Sequence, residues 1–226
     1  MKIHLAIVPL ILLVELPAQA QVFLRPGSYL KSTYIQAVRK SKSPFASIGK
    51  GGVLEIVVSA LGGKTVLSPV VNFHDSGTDY YLESNQRAVR VDNGNSKDTL
   101  DLAVKSPDSF SISTPGDFFG HFEFVGSTDE FLRSQTVAGV YLDQQGRKYI
   151  FGVDGAASFP DHHFTYQVGC DHFEARFDYL FGKEVDWAFK LSGDTLKLFK
   201  CNGDGPAGHD PKPFLTLKRE IGRAHV

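Results

Sequence analysis

From residue 51 onward, apolar and polar residues alternate in short runs that are typical of antiparallel β-strands. Val53 to Leu61 is rich in branched residues and precedes Gly62-Gly63, which can supply the positive φ angles of a tight hairpin turn. Turn-forming clusters of Gly, Pro, Asn and Asp then recur at intervals of roughly ten residues. This spacing predicts an all-β chain with about ten to twelve strands, arranged as an antiparallel barrel.

Two helices are also predicted, one before this pattern and one within it. The first is predicted from about Ser28 to Lys42, before Ser43-Pro44. Its apolar positions fall at helical spacing: Leu30, Tyr34, Ile35 and Val38. A short helical turn is predicted over Thr128 to Ser134, with Ser127 or Thr128 as the cap and Glu130 in the first turn.

The first twenty residues have the features of a secretion signal. Lys2 precedes an apolar run from Ile3 to Val14, and Ala18-Gln19-Ala20 fits a cleavage site. The apolar run is shorter than the roughly twenty residues that cross a bilayer as a helix. We therefore predict a secreted or periplasmic protein, with residues 1–20 as signal peptide and no transmembrane segment after its removal.

The remaining chain predicts a single β-barrel domain over residues 21–220, because no linker or internal repeat divides it. Residues 221–226 resemble the translation of a sequencing adapter and are predicted to be a non-native tail. The formal net charge is −1, and no basic stripe interleaved with aromatic residues is present. Nucleic-acid binding is therefore not expected, and no pattern indicates an oligomeric state.

Cys170 and Cys201 are the two cysteines of the chain. An even number of cysteines in an exported protein favours a disulfide between them. Two separate free thiols are the alternative. Zinc binding by these sulfurs alone is not expected, because neither belongs to a C-x-x-C pair.

Three histidines lie close in sequence to two aspartates, a combination that can bind zinc or perform acid–base catalysis. They are His162, His163, His172, Asp161 and Asp171. Adjacent His162 and His163 on a strand would point to opposite faces, so they cannot chelate one metal there. Because no catalytic or phosphate-binding motif accompanies them, the sequence predicts turn-flanking polar residues, with no metal or cofactor.

Aromatic residues are abundant, with 18 Phe and 8 Tyr against one Trp. In the second half of the chain, several of them alternate along predicted strands and are candidates for the wall of a ligand pocket. These candidates are Tyr141, Tyr149, Phe151, Phe164, Tyr166, Phe177 and Tyr179. Arg176 lies among them and could hold a ligand carboxylate by a bidentate contact, although a solvent-facing row of charges is the alternative.

Gly27-Ser28-Tyr29 is similar to a G-x-W opening with Tyr in place of Trp, and serial hairpins with a late cysteine pair follow it. With the export signal and the chain length, these features resemble the calycin group, the lipocalin and fatty-acid-binding barrels. The helix after Gly27 and the strand number depart from the eight-stranded lipocalin pattern. The resemblance implies that a small apolar ligand binds in the barrel mouth.

The leading functional hypothesis is a non-enzymatic exported barrel that binds a small hydrophobic or amphipathic ligand. The second is a structural or surface-interaction domain with a solid core. The third is an exported hydrolase or isomerase that uses His163, His172 and Asp171. A large empty volume bounded by the aromatic residues would favour the first, and a filled interior the second.

Overall fold

The computed structural model describes residues 23–49, 52–71, 75–91, 98–169, 176–202 and 208–220. Within these ranges the chain forms three helices and eighteen strands, which belong to two antiparallel sheets. The predicted signal peptide and the predicted C-terminal tail lie outside the described residues, and both stay predictions.

The first sheet contains the strands β1 to β9. They are β1 (Gly27–Lys31), β2 (Val53–Leu61), β3 (Lys64–Val71), β4 (Asp75–Ser76), β5 (Tyr80–Ser84), β6 (Arg87–Arg90), β7 (Thr99–Ser106), β8 (Ser109–Ile112) and β9 (Gly120–Gly126). Their order is β2-β1-β9-β8-β7-β6-β5-β3-β4, and β2 also pairs with β3. Eight strands therefore close into a barrel, and the two-residue β4 adds to β3.

Aromatic rings pack against one another in the interior of this barrel. Tyr29, Phe110 and Phe122 are fully buried. The ring of Phe110 lies 5.3 Å from that of Tyr29 and 5.4 Å from that of Phe122, measured between centroids. The Tyr29 hydroxyl donates to the Pro107 carbonyl oxygen at 2.5 Å, so its polar end is also satisfied.

The second sheet contains the strands β10 to β18. They are β10 (Gly139–Leu142), β11 (Lys148–Phe151), β12 (Ala156–Ser158), β13 (His163–Thr165), β14 (Gln167–Gly169), β15 (Tyr179–Gly182), β16 (Val185–Ser192), β17 (Thr195–Lys200) and β18 (Leu215–Arg219). Their order is β13-β12-β11-β10-β18-β17-β16-β15-β14. The two edge strands, β13 and β14, are consecutive in the chain, so the sheet curves back on itself and is nearly closed.

Tyr166 separates these two edge strands. Before it, β13 pairs with β12, and after it, β14 pairs with β15. Two glycines allow β15 and the turn before β12 to approach this junction closely. A Cβ atom on Gly182 would lie 2.6 Å from the Thr165 carbonyl oxygen, and one on Gly155 would lie 2.9 Å from that of Tyr166. Side chains at both positions would therefore force the nearly closed sheet apart.

The helices pack against both sheets. They are α1 (Ser32–Ser41), α2 (Pro44–Ser47) and α3 (Thr128–Gln135). Tyr34 and Ile35 of α1 and Leu132 of α3 belong to the same buried cluster as the inner face of the second sheet. Helices α1 and α3 also contact β9 of the first sheet. They form a shared apolar layer between the two sheets.

The fold class is confirmed: the chain is mostly β, antiparallel and contains a closed barrel. The predicted Gly62-Gly63 turn is present between β2 and β3, with φ angles of 58° and 77°. The predicted helical turn is α3, and the Ser127 side chain caps it by accepting a hydrogen bond from the Glu130 amide. Local turn and cap chemistry were sufficient to locate these features.

The predicted start of the first helix at Ser28 was wrong. Residues Gly27–Lys31 form β1, and the helix starts at Ser32. Strand β1 pairs with both β2 and β9, and its two faces are buried against different clusters, Tyr29 in the barrel and Leu30 beside the helices. Burial on both faces removes the alternation that would have indicated a strand.

The strand number and the single barrel also differ from the prediction. The eighteen strands include several of only two or three residues, which are too short to show an alternating pattern. The division into two sheets was not predicted either, because alternation indicates which side of a strand is buried and not which strands become neighbours. A single domain over residues 21–220 stays a prediction.

Candidate functional site

Most of the aromatic residues predicted to line a pocket are parts of the core. Their side chains are at most 8% exposed, and the first five belong to one cluster: Tyr141, Tyr149, Phe151, Phe164, Tyr166 and Tyr179. Phe177 is half-buried, with its ring 4.8 Å from that of His209. Arg176 is exposed to solvent.

The rings of this group contact one another. The Phe151 centroid lies 5.9 Å from Tyr141, 5.5 Å from Phe159 and 5.5 Å from Tyr166, all in edge-to-face geometry. The Tyr141 hydroxyl accepts a hydrogen bond of 2.8 Å from Arg219 Nη2. These aromatic residues therefore pack against one another in the core, and their ligand-binding role stays a prediction.

The predicted disulfide is not formed at Cys201, which has a free thiol, and Cys170 lies outside the described residues. Burial and the neighbouring Asp186 raise the pKa of the Cys201 thiol to about 12. A thiol in this environment stays protonated at neutral pH, so Cys201 is a poor nucleophile.

The histidine and aspartate cluster is only partly described. Asp171 and His172 lie outside the described residues, whereas His163 is exposed on β13. No group of three potential metal ligands is present within the described ranges. The hydrolase or isomerase hypothesis stays a prediction.

The most distinctive polar feature is a cleft of about 450 Å³ beside the junction of β13 and β14. We call it the Arg133 cleft. Helix α3, the turn between β11 and β12, the residues on both sides of Tyr166 and the turn after β15 contribute to it. Its lining includes Asp129, Arg133, Asp154, Tyr166, Phe181 and Lys183.

Arg133 is unusual because it is a buried cation, with only 7% of its surface exposed. Its Nε atom donates a hydrogen bond of 2.6 Å to the Val153 carbonyl oxygen. Its Nη1 and Nη2 atoms have no hydrogen-bond acceptor among the residues that the structure describes. Two donor groups of a buried guanidinium are thus available at the cleft.

The surroundings fix the position of this guanidinium. A Cβ atom on Gly155 would lie 3.3 Å from Nη1 of Arg133, so the turn before β12 passes close to the charged group. The Tyr166 hydroxyl donates to the Gly152 carbonyl oxygen at 2.8 Å. Burial raises the pKa of the Tyr166 phenol, and the nearby charge of Arg133 opposes that rise.

Charges of both signs surround the cleft. Arg133 and Lys183 are positive, whereas Asp129 and Asp154 are negative, and the last three are exposed. The Asp154 carboxylate accepts a hydrogen bond of 3.0 Å from the Ala156 amide, which holds it in the turn. The four formal charges sum to zero, so the net charge of the cleft favours neither anions nor cations.

A second cleft, of about 560 Å³, lies on the outer face of the neighbouring strands. We call it the apolar cleft because apolar atoms form most of its surface. Its lining includes Ile150, Gly152, Ala156, Ser158, His163 and Phe164. Asp154 and Thr165 line both clefts, so the two are adjacent.

The sequence did not indicate Arg133 as a candidate. It follows Phe131 and Leu132 in α3 and carries no motif, and its burial depends on Val153, twenty residues later in the chain. The predicted anchor Arg176 has the same chemistry but does not line either cleft. A charged residue directly after two core residues of a short helix was the only available signal.

Comparison of the chain with protein-family models, curated proteins and solved structures finds no match. None of the helices in the described part of the chain has the length and apolar character that crossing a membrane requires.

Proposed function

We propose that the protein binds a small organic carboxylate in the Arg133 cleft without transforming it. The observation that carries this proposal is the buried Arg133 guanidinium, whose Nη1 and Nη2 atoms have no acceptor among the described residues. Buried charges in proteins are normally paired, because an unpaired one is costly. The Nη1 and Nη2 atoms of Arg133 are not among the fully buried side-chain atoms without a partner, so they reach the cleft, where a bound carboxylate would accept from both.

The orientation of the side chain favours a carboxylate in particular. The Nε atom of Arg133 donates its hydrogen bond to the Val153 carbonyl oxygen. The edge of the guanidinium formed by Nη1 and Nη2 is therefore the edge that can bind a ligand. Two parallel N–H groups match the two oxygens of a carboxylate in a bidentate contact. The volume of about 450 Å³ suits a small organic molecule.

The same residues favour binding of the ligand without a chemical reaction. The Tyr166 phenol donates to Gly152, and its raised pKa keeps it protonated at neutral pH. It therefore does not supply a base. This function retains the ligand-binding class expected from the sequence and relocates the ligand from the barrel interior, where the described rings pack together, to the outer cleft.

The test is a calorimetric titration of the folded protein with hexanoate. Arg133→Gln is expected to weaken hexanoate binding by about ten- to a hundredfold, which corresponds to the loss of charged hydrogen bonds. Arg133→Lys retains the positive charge but not the two parallel N–H donors, and its hexanoate affinity is expected to lie between those of Arg133→Gln and the wild type. Thermal unfolding of each variant establishes that it is folded.

Arg176→Gln is the matched control, since it removes an exposed arginine and is expected to leave the hexanoate affinity unchanged. Loss of binding in Arg176→Gln with full binding in Arg133→Gln would overturn the proposal in favour of the anchor that the sequence suggested.

A second candidate function is a solid-core domain that acts through its surface. The packing of Tyr29, Phe110 and Phe122 in the first barrel and of Phe151 in the second sheet favours it. In this case hexanoate does not bind to the wild type, and Arg133→Gln alters only the stability of the protein.

A further inference from the structure

We infer that the ligand of the Arg133 cleft is an amphipathic monocarboxylate whose apolar chain lies in the apolar cleft. This inference rests on the proposed function, because it requires the carboxylate to bind Arg133. It adds the class of ligand, the direction in which the ligand lies and the residues that contact its apolar part.

The two clefts are adjacent, so one ligand can contact both. Thr165 and Asp154 line both, and Thr165 is paired with Ala156 across β13 and β12. A molecule whose carboxylate contacts Arg133 can therefore extend past Thr165 toward the outer face of β12.

Small residues explain why this outer face is concave. Ala156 and Ser158 face outward on β12, while Ala157 between them is buried. Gly152 lies beside them, and a Cβ atom there would be 3.0 Å from the Ala156 carbonyl oxygen. Ile150, which is 37% exposed, is paired with Ser158 and borders the hollow. An exposed apolar surface of this kind favours an apolar ligand group.

The charges that line the Arg133 cleft favour a ligand with a single negative charge. Arg133 and Lys183 cancel Asp129 and Asp154, so one further negative charge leaves the occupied cleft with a net charge of about −1. A phosphate monoester carries nearly two negative charges, so its headgroup would lose more hydration in the same cleft and leave a net charge of about −2 there. A monocarboxylate is therefore favoured over a phosphate of the same chain length.

Straight-chain carboxylates of four to ten carbons provide the first test. Each added methylene that enters the apolar cleft is expected to tighten binding about two- to fourfold. In methyl NMR spectra, the Ile150 and Ala156 signals are expected to shift with octanoate and not with acetate. Octyl phosphate is expected to bind more weakly than the carboxylate of equal chain length.

Ala156→Glu provides the second test, since it places a carboxylate in the path of the chain. It is expected to weaken decanoate binding at least tenfold and to leave butyrate binding within about twofold of the wild type. Ala103→Glu, at an exposed alanine of β7 in the first sheet, is the matched control and is expected to change neither affinity. Ala156→Leu fills the cleft without adding charge and serves if Ala156→Glu does not fold.

The outcomes separate the two proposals. Affinities that depend on Arg133 but not on chain length or on Ala156 would overturn the inference and leave the proposed function standing. Affinities that depend on chain length and not on Arg133 would overturn both, because the carboxylate would then bind elsewhere.

Discussion

The backbone amide of Phe45 donates a hydrogen bond of 2.8 Å to the Asp178 carboxylate. Phe45 lies in α2, shortly before the strand β2 of the first sheet, and Asp178 immediately precedes β15 of the second sheet. The contact therefore joins residues 133 positions apart in the chain. A hydrogen bond to the Ser43 side chain adds to it.

The first prediction concerns the pH dependence of stability through Asp178. Burial raises the pKa of this carboxyl from 3.8 to about 6, although the hydrogen bonds from Ser43 and Phe45 oppose the rise. The folded state therefore binds the proton more tightly than the unfolded state. The resulting stability is present below pH 4 and is lost as the pH rises through 6, by up to about 3 kcal/mol.

Asp178→Asn removes this titration while keeping an acceptor for the Phe45 amide. Urea unfolding between pH 4 and pH 7.5 is expected to show that the wild type loses stability relative to Asp178→Asn as the pH rises. Parallel pH profiles for the two proteins would contradict the raised pKa of Asp178.

The second prediction concerns the contact between Thr128 and Glu55, which joins α3 to β2. The Thr128 hydroxyl donates to the Glu55 carboxylate at 2.6 Å, and both residues are at most 9% exposed. Thr128→Val is expected to destabilise the protein by about 1–3 kcal/mol, because the buried carboxylate loses its donor. Urea unfolding gives the difference.

Thr128→Ser retains the hydroxyl and is the control. A double-mutant cycle of Thr128→Val with Glu55→Leu is expected to give a coupling energy of at least about 1 kcal/mol. Additive effects of the two changes would mean that the hydrogen bond does not contribute to the packing of α3.

How far the sequence predicts this fold is clear from the features that depend on neighbours in the chain. The Gly62-Gly63 turn and the Ser127 cap were both predicted, because each depends on a few adjacent residues. Phe164 and Tyr166 were predicted to alternate along a strand, and both are buried, although the alternation did not indicate which side of the strand faces inward.

The features that the sequence did not predict depend on distant contacts. Leu30 was assigned to a helix because it falls at helical spacing from Tyr34, and Tyr29 because it lies within the same predicted range, but the two face different clusters on opposite sides of β1. Arg133 was not a candidate because its position at the cleft follows from its hydrogen bond to Val153 in another element. A one-dimensional pattern contains neither the sheet partners nor such tertiary hydrogen bonds.

The third prediction concerns Gly182, where the second sheet nearly closes. A Cβ atom at this position would lie 2.6 Å from the Thr165 carbonyl oxygen, which belongs to the backbone and cannot move independently. Gly182→Ala is expected to destabilise the protein by about 1–3 kcal/mol and to perturb NMR signals on both sides of Tyr166. Gly208→Ala is the control, since a Cβ atom there has no neighbour within 4 Å among the described residues. Equal effects of the two substitutions would argue against a tight closure at Gly182.

The fourth prediction tests whether the interior of the second sheet is filled. Phe151 is 2% exposed and contacts the rings of Tyr141, Phe159 and Tyr166. Phe151→Ala is expected to cost about 3–5 kcal/mol, because the surrounding rings cannot close the resulting cavity completely.

The same substitution distinguishes a packed interior from a pre-existing pocket. An apolar cavity of the size of a phenyl ring can bind benzene, so Phe151→Ala is expected to gain benzene binding that the wild type lacks. Phe119→Ala removes a phenyl ring that is 62% exposed and is expected to alter stability by no more than about 0.5 kcal/mol, without benzene binding. Saturable benzene binding to the wild type, with no gain in Phe151→Ala, would show that the aromatic residues surround an empty volume, and the ligand site would then belong inside the sheet after all.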